Sequence, residues 1–299
     1  MQSSTFDAPR CPVCESPATE IYLDQREEDL DSAVIGSSRA SVSPGRILRC
    51  RQCRFGFRQL RSSPEQLQAL YRHMDPGVYE SELEGRDRTA RTHLRIVKGY
   101  LQRGRILDVG CASGLFLTHA REAGFDVTGI EPNEKLCQEA RRKLGHESDV
   151  QCATLETACL DRVFDAITLW DVLEHVPDPR RFLVRCASLL RPNGFVFLNV
   201  PDLNSLEARL LGSRWPLLLP EHLNYFSRES LEVCARQAEL ATLHFRRRRA
   251  WFSFKYVAFR IAQHGIPGSD LFKKAAATPV GRVLIPVALG ETLAVLKAG

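Results

Sequence analysis

Residues 105–117, RILDVGCASGLFL, place the acid Asp108 ahead of a turn holding Gly110 and Gly114, between two apolar runs. Such a turn brings backbone N–H groups and a carboxylate close to a ligand. It is no dinucleotide fingerprint, because Gly110, Ala112 and the missing sixth position do not fit G-x-G-x-x-G. A second acid, Glu131, closes the next apolar run in VTGIEPN, where a carboxylate can accept hydrogen bonds from both ribose hydroxyls. A third polar cluster follows in FDAITLWDVLEHVPDP, with Trp170, Asp171 and His175, and a further histidine, His222, stands in PEHLNYF.

Four cysteines point to different chemistry. CPVC, with Cys11 and Cys14, and CRQC, with Cys50 and Cys53, are two pairs that can each turn two thiolates toward one ion. Together they make the four-sulfur tetrahedral shell of structural Zn²⁺, which leaves no open position for catalysis. The Ser/Gly-rich stretch DLDSAVIGSSRASVSPG between them suits a ribbon loop. The rival is a redox pair, which would open a helix after a strand, and neither CxxC has that setting. The other six, Cys111, Cys137, Cys152, Cys159, Cys186 and Cys234, sit in apolar patterns and are expected reduced in the core.

Positioning these groups requires an alternating scaffold. Ser63 before Pro64 predicts a helix start, and a second helix is expected over 86–102. Strands are then expected at 105–109, 126–130, 149–152, 164–170 and 194–200, with helices at 114–123, 133–144 and 179–190. This alternation implies an α/β fold with a largely parallel sheet covered on both faces. Ser227 can cap a helix to Leu240, TLHFRRRRAWFSF reads as a strand, and ETLAVLKA suits either a helix or a final strand. In such sheets ligands bind at the carboxyl ends of strands, which is where Asp108, Glu131 and Trp170 fall.

The chain has 299 residues, 44% hydrophobic and 26% charged, enough for one large core with a small accessory module. MQSSTFDAPR lacks an apolar leader and no apolar run is long enough to span a bilayer, so a cytoplasmic protein is expected. Net charge is +5, but the part from Ala241 onward has ten Lys or Arg against Asp270 and Glu291. A solvated edge is the plain reading of Arg246 to Arg249; attraction of an acidic acceptor or a membrane surface is the functional one. WFSFKYVAFRIAQHG, with apolar residues at helical spacing, is expected in core or lid packing ahead of interfacial membrane binding.

ILDVGCASG, GIEPN, FDAITLWDVLEHVPDP and LLRPNGFVFLNVPD, in this order over roughly residues 90–250, resemble the class I S-adenosylmethionine-dependent methyltransferases. PEHLNYFS and GETLAVLKAG are similar to the branch related to ubiquinone-biosynthesis O-methyltransferases, some of which carry an N-terminal zinc ribbon. The resemblance implies a Rossmann-like seven-stranded sheet in a domain over 61–299, after a zinc-ribbon module over 1–60. Lid segments are expected near 61–102 and 204–226, and the basic part over 241–299. It implies S-adenosylmethionine held by Asp108, Gly110, Cys111, Ala112 and Gly114 around the methionine and by Glu131 and Pro132 at the ribose. Thr154, Leu155 and Glu156 fall near the adenine, and Trp170 and Asp171 near the sulfonium. Ala112 stands where the family usually has glycine, and no Asp occurs in CATLET for the adenine amino group.

A hydroxyl acceptor must lose a proton, a task for a histidine. His222 is the first candidate because its loop should wall the acceptor, and His175 is the second. Tyr225 and Glu221 are expected to shape the pocket. The acceptor is expected to be a small molecule, a hydroxyl of a sugar, lipid-linked or quinone-like compound, and acidic if the basic part attracts it. The alternatives are a methyltransferase for RNA or protein that grips through the ribbon, or a non-catalytic interaction protein. Nucleic acid ranks lower because the ribbon's charges nearly cancel.

Overall fold

The computed structural model describes residues 9–25, 45–59, 82–145, 149–263 and 269–299. The helix expected from Ser63 lies outside the described residues, as does most of the ribbon loop.

Three short strands open the chain: β1 (Thr19–Leu23), β2 (Ile47–Cys50) and β3 (Gly56–Arg58). Helix α1 (Leu83–Lys98) precedes β4 (Arg105–Val109), α2 (Leu115–Glu122), β5 (Asp126–Ile130), α3 (Glu134–Leu144) and β6 (Val150–Gln151). Then come β7 (Phe164–Leu169), α4 (Pro179–Ser188), β8 (Leu190–Pro201), α5 (Leu206–Leu211), β9 (Asn224–Tyr225), α6 (Arg228–Gln237) and β10 (Leu240–Arg247). The remaining elements are β11 (Ala250–Ser253), α7 (Phe254–Gln263), α8 (Ser269–Ala276), β12 (Leu284–Val287) and β13 (Glu291–Ala298).

The main sheet has seven strands in the order β10-β13-β8-β7-β4-β5-β6. From β8 to β6 all neighbours are parallel, while β13 runs antiparallel between β8 and β10. Parallel strands covered on both faces must be apolar throughout, and Ile106 and Leu107, which point to opposite faces of β4, are both fully buried. The ETLAVLKA ambiguity resolves as strand β13, because its inward position between β8 and β10 buries six successive residues.

Helix ends follow side-chain chemistry. Asn133 accepts from Leu136 N at 3.1 Å to start α3, and Gly145, at φ 73°, ends it. Asp178 caps α4 through Arg180 N and Arg181 N, and Ser227 caps α6 with Ser230 completing the reciprocal box. The expected helix over 86–102 begins earlier, at Leu83, and stops at Lys98.

The stretch expected as one strand over 242–254 breaks at Arg248 and Arg249. Beyond the break, β11 pairs with β12, and α7 and α8 lie between them in sequence, so residues 250–287 form a cap between the last two sheet strands. WFSFKYVAFRIAQHG is therefore part of this cap up to Gln263; His264 and Gly265 lie outside the described residues.

The ribbon strands make a four-stranded sheet, β1-β2-β3-β9, whose last member comes from the far side of the chain. Cys11, Val13, Phe55 and Phe57 share one buried cluster with Leu107, Val109 and Leu198 of the main sheet. Two of the six cysteines expected to be reduced are not: Cys137 on α3 and Cys152 just past β6 form a disulfide, with Cα atoms 5.6 Å apart. A helix and an edge strand bring them together, a proximity that sequence spacing does not display. Cys159 is exposed, again unlike the core position expected; Cys111, Cys186 and Cys234 are free and buried.

Candidate active site

The ends of β4, β5 and β7 open into a cavity of about 640 Å³, bounded elsewhere by α1, the 211–222 loop and the cap. At its floor the turn after β4 takes the left-handed conformation three times, at Gly110 (φ 73°), Ala112 (φ 47°) and Gly114 (φ 78°). Two of these are glycines, which adopt it freely. Ala112 must bear a strain of about 1–2 kcal/mol there. Gly110 N and Cys111 N both donate to Ile130 O, at 2.8 and 3.0 Å, which ties the turn to β5.

Glu131 is the other brace. Its Oε2 accepts from Ala112 N at 2.9 Å and its Oε1 from Asn133 N at 2.8 Å, leaving lone pairs on both oxygens for a ligand. Asp108 is 2% exposed and accepts from Thr168 Oγ1 at 2.6 Å. Burial pushes both carboxyls up to about 7. Both acids therefore favour a ligand that brings positive charge or donates hydrogen bonds.

The third strand end holds Trp170 and Asp171. Trp170 stacks on His93 of α1, ring centroids 3.8 Å apart, and meets Phe116 edge-on at 5.7 Å. Arg248, from the break after β10, donates to Asp171 at 3.0 Å and to both oxygens of Glu291 at 2.7 Å. Arg248 Nε also donates to His93 Nε2, at 3.4 Å. Burial alone would raise Asp171, but the Arg248 guanidinium overrides it and holds the carboxyl below its usual range. Burial lifts Glu291 to about 7 despite the same partner.

Beyond β7 the cavity gathers Glu174, His175 and His222. His175 Nδ1 lies 3.0 Å from Glu221 O and His222 Nδ1 lies 2.9 Å from Leu217 O. A carbonyl only accepts, so each Nδ1 carries the proton and each Nε2 keeps a lone pair. Burial lowers both pKa values, that of His222 well below 6.5 with help from His175, so both rings are neutral at pH 7. Glu174 is 1% exposed, its Oε2 has no hydrogen-bond partner, and burial raises it well above the normal glutamate range. The three residues offer ligand atoms within 4.8 Å of one another, an arrangement that can hold a divalent cation.

Asp108, Gly110, Cys111, Ala112, Glu131, Pro132, Thr154, Leu155, Glu156, Trp170, Asp171, His175, Glu221 and His222 all line this cavity. Two sequence candidates do not. Gly114 sits behind the turn as the cap of α2, where a Cβ would meet Ala140 at 3.1 Å. Tyr225 is fully buried against Trp215 and His222, at centroid distances of 6.0 and 6.1 Å. Sequence reasoning missed His93, Arg248, Glu291 and Glu174. Arg248 was hidden in the arginine run: Arg246, Arg247 and Arg249 are the exposed residues expected of a solvated edge, and Arg248 alone is buried.

The paired cysteines form a separate centre. Cys11 Sγ and Cys53 Sγ are 3.6 Å apart, Cys14 Sγ and Cys50 Sγ 3.5 Å, and all four lie within 4.8 Å of one another. A tetrahedral zinc with Zn–S bonds near 2.3 Å sets its sulfurs about 3.8 Å apart, so this donor set fits the ion.

The family signature described as a methyltransferase domain matches residues 79–244, more than half of the chain. The chain belongs to this methyltransferase family. It is 34% identical over 154 residues to a ubiquinone biosynthesis O-methyltransferase of Bordetella avium, covering 48% of this methyltransferase and 64% of that one. A protein of the same name from Idiomarina loihiensis is 36% identical over 113 residues, covering 36% and 46%. The chain thus spans less than two thirds of these curated relatives. Among solved structures, the Burkholderia thailandensis 1,6-didemethyltoxoflavin-N1-methyltransferase, with bound S-adenosylhomocysteine, superposes with a TM-score of 0.50 at 16% identity. That alignment covers 83% of this chain and 97% of the other. At that identity the likeness concerns the fold. Among the described residues no helix is long and apolar enough to cross a membrane.

Proposed function

We propose that this methyltransferase moves the methyl group of S-adenosylmethionine to a hydroxyl of a small molecule, of sugar, lipid-linked or quinone-like character. The reading is carried by one observation: a single cavity joins the acid-lined turn at the ends of β4 and β5 to the two neutral histidines beyond β7. Asp108 and the turn would hold the methionine part, Glu131 and Pro132 the ribose, and Thr154 and Leu155 the adenine. Trp170 and Asp171 would flank the sulfonium.

In the transfer, the acceptor oxygen forms a bond to the methyl carbon as the carbon–sulfur bond breaks, its electron pair staying on sulfur. The acceptor proton passes to a histidine Nε2. His222 is the preferred base because the loop that carries it walls the cavity. Its low pKa keeps the lone pair available at neutral pH but also weakens it as a base, which places its help at the low end of the roughly 10² to 10⁴-fold that general bases give. Holding acceptor and methyl in line supplies a larger share, up to about 7–11 kcal/mol.

A second reading of the same cluster is supported by the convergence of Glu174, His175 and His222: a bound divalent cation would itself acidify the acceptor hydroxyl. Activity lost with a chelator and restored by Mg²⁺ or Mn²⁺ would favour it over the free-base reading.

The four cysteines are proposed to hold a structural Zn²⁺. A role for the ribbon in gripping nucleic acid is disfavoured because its acids and bases nearly cancel and three of its arginines pair with acids: Arg49 and Arg51 with Glu20 at 2.8 and 3.1 Å, and Arg46 with Asp24 at 2.9 Å. The decisive test is incubation with methyl-labelled S-adenosylmethionine and a metabolite extract. Label in a small product is expected; label confined to macromolecules would overturn the proposal.

A further inference from the structure

The loop that carries Glu221 and His222 is clamped from two sides. On one side is the turn after β7: Leu223 N and Asn224 N donate to Glu174 O at 2.8 and 3.0 Å. Asn224 Nδ2 adds bonds to Leu173 O at 3.2 Å and Val176 O at 2.6 Å. On the other side is the ribbon. Strand β3 pairs with β9, setting Gly56 against Tyr225 and Phe57 against Asn224, and Arg58 N donates to Leu223 O at 2.9 Å. The Arg58 guanidinium, 4% exposed, reaches past the strand and donates through Nη1 to Pro220 O.

Two details show that this junction is built closely. A Cβ on Gly56 would lie 2.3 Å from Leu203 Cδ1 and 3.1 Å from Tyr225 Cβ, so any larger residue must displace the buried Leu203 side chain for β3 to approach as closely. Just outside the pairing, Phe55 packs edge-on against Phe226 at 5.2 Å and Ser227 Oγ donates to Cys53 O at 3.0 Å. Burying a guanidinium is costly where a neutral donor could serve a carbonyl. Its planar fork gives something a neutral donor lacks, a fixed direction at Pro220 next to Glu221.

We propose that Arg58 is a positioning residue for the acceptor site: with β3 it holds residues 220–225, and so aims His222 and, through the Glu221 carbonyl, His175 into the cavity. The ribbon is on this account a wall of the acceptor site, 162 residues away from the loop in sequence. The proposal rests on the acceptor reading above for what the loop faces, and on the geometry alone for what holds it.

The test is hydrogen–deuterium exchange on the full chain, read separately over residues 105–115 and 217–226, with S-adenosylhomocysteine titrated by calorimetry. Arg58→Gln and Gly56→Ala should each speed exchange across 217–226 by roughly tenfold, the first by removing a charge-assisted bond and the second by pushing β3 off β9. Exchange over 105–115 and affinity for S-adenosylhomocysteine should stay within about twofold, because the turn after β4 is held by Ile130 O and Glu131, far from Arg58 in the fold. Labelled methyl transfer should fall with the loop, and Arg58→Lys, which keeps the charge without the fork, should recover part of both. Unchanged exchange over 217–226 in both variants, or equal loosening of the two windows, would overturn the proposal. If Arg58→Gln does not fold, seen as lost S-adenosylhomocysteine binding, Gly56→Ala decides by the same two windows. Neither readout needs an acceptor, so an unmodified chain that labels no small product would count against methyl transfer and leave this proposal standing.

Discussion

The two ends of the cavity are built on opposite plans. The end proposed to hold the methyl donor comes from neighbouring strand ends, each with its own short motif: the turn after β4, Glu131 after β5, and Trp170 and Asp171 after β7. The end proposed for the acceptor is assembled from a helix before the sheet, a loop after β8, the cap between β10 and β13 and the cysteine ribbon. A site made of contiguous motifs can be rigid by local bonding alone; a site made of distant segments depends on tertiary packing to exist at all. Asp108 and Glu131 are poised near 7 at the first end, while the His222 ring is held neutral at the second.

That contrast can be broken most forcefully at His222. His222→Ala should lower labelled methyl transfer by about 10²-fold, the low end for a general base, because the ring's pKa lies well below the working pH. Calorimetry should find S-adenosylhomocysteine affinity unchanged, and equal losses in both would erase the division between the ends. Next in size is Glu131→Gln, for which the same titration should find cofactor affinity reduced by about 10 to 100-fold, since a buried charge-assisted acceptor is lost.

A pH series sharpens the comparison further. Asp108 and Glu131 titrate near 7 when folded and near 4 when unfolded, so the empty fold binds more protons than the unfolded chain between those values. Their contribution to stability is present at low pH and fades as pH rises from about 4 to about 7. A cofactor that needs both acids ionised should bind progressively more weakly below pH 7, by up to about tenfold per unit for each acid. Thermal shift by S-adenosylhomocysteine should therefore grow from pH 5 to pH 8, and a flat profile would remove the two acids from cofactor binding. The smallest effect is expected at the turn itself: Ala112→Gly relieves a left-handed alanine and should raise unfolding free energy by about 0.5–1 kcal/mol, read by denaturant titration.

Legibility in the sequence divides along the same line. The donor end could be read because its residues sit beside the apolar runs that make the strands, and β4, β5 and β7 fall within a residue or so of where those runs predict them. His93, Arg248 and Glu291 could not, because they meet only when β13 inserts between β8 and β10 and draws the break after β10 against Asp171. The arginine run illustrates the difficulty: four identical residues carry no sign of which one turns inward, and Arg248 does so at the end of β10, where its N still donates to Glu291 O at 2.9 Å. Pairing of Cys137 with Cys152 was likewise invisible, since it depends on the position of a two-residue edge strand. His222 is legible through its loop, which pairs with β3 at Asn224 and Tyr225 and lines the cavity.

The Arg248–Glu291 pair joins residues 43 positions apart, at the points where the chain leaves the sheet for the cap and returns to it. A neck closed by its own ion pair makes what lies above it a cassette. Its length and side chains can change without asking anything of the seven strands below. On the proposed function, a cap exchanged at that neck should change acceptor preference while affinity for the methyl donor stays the same.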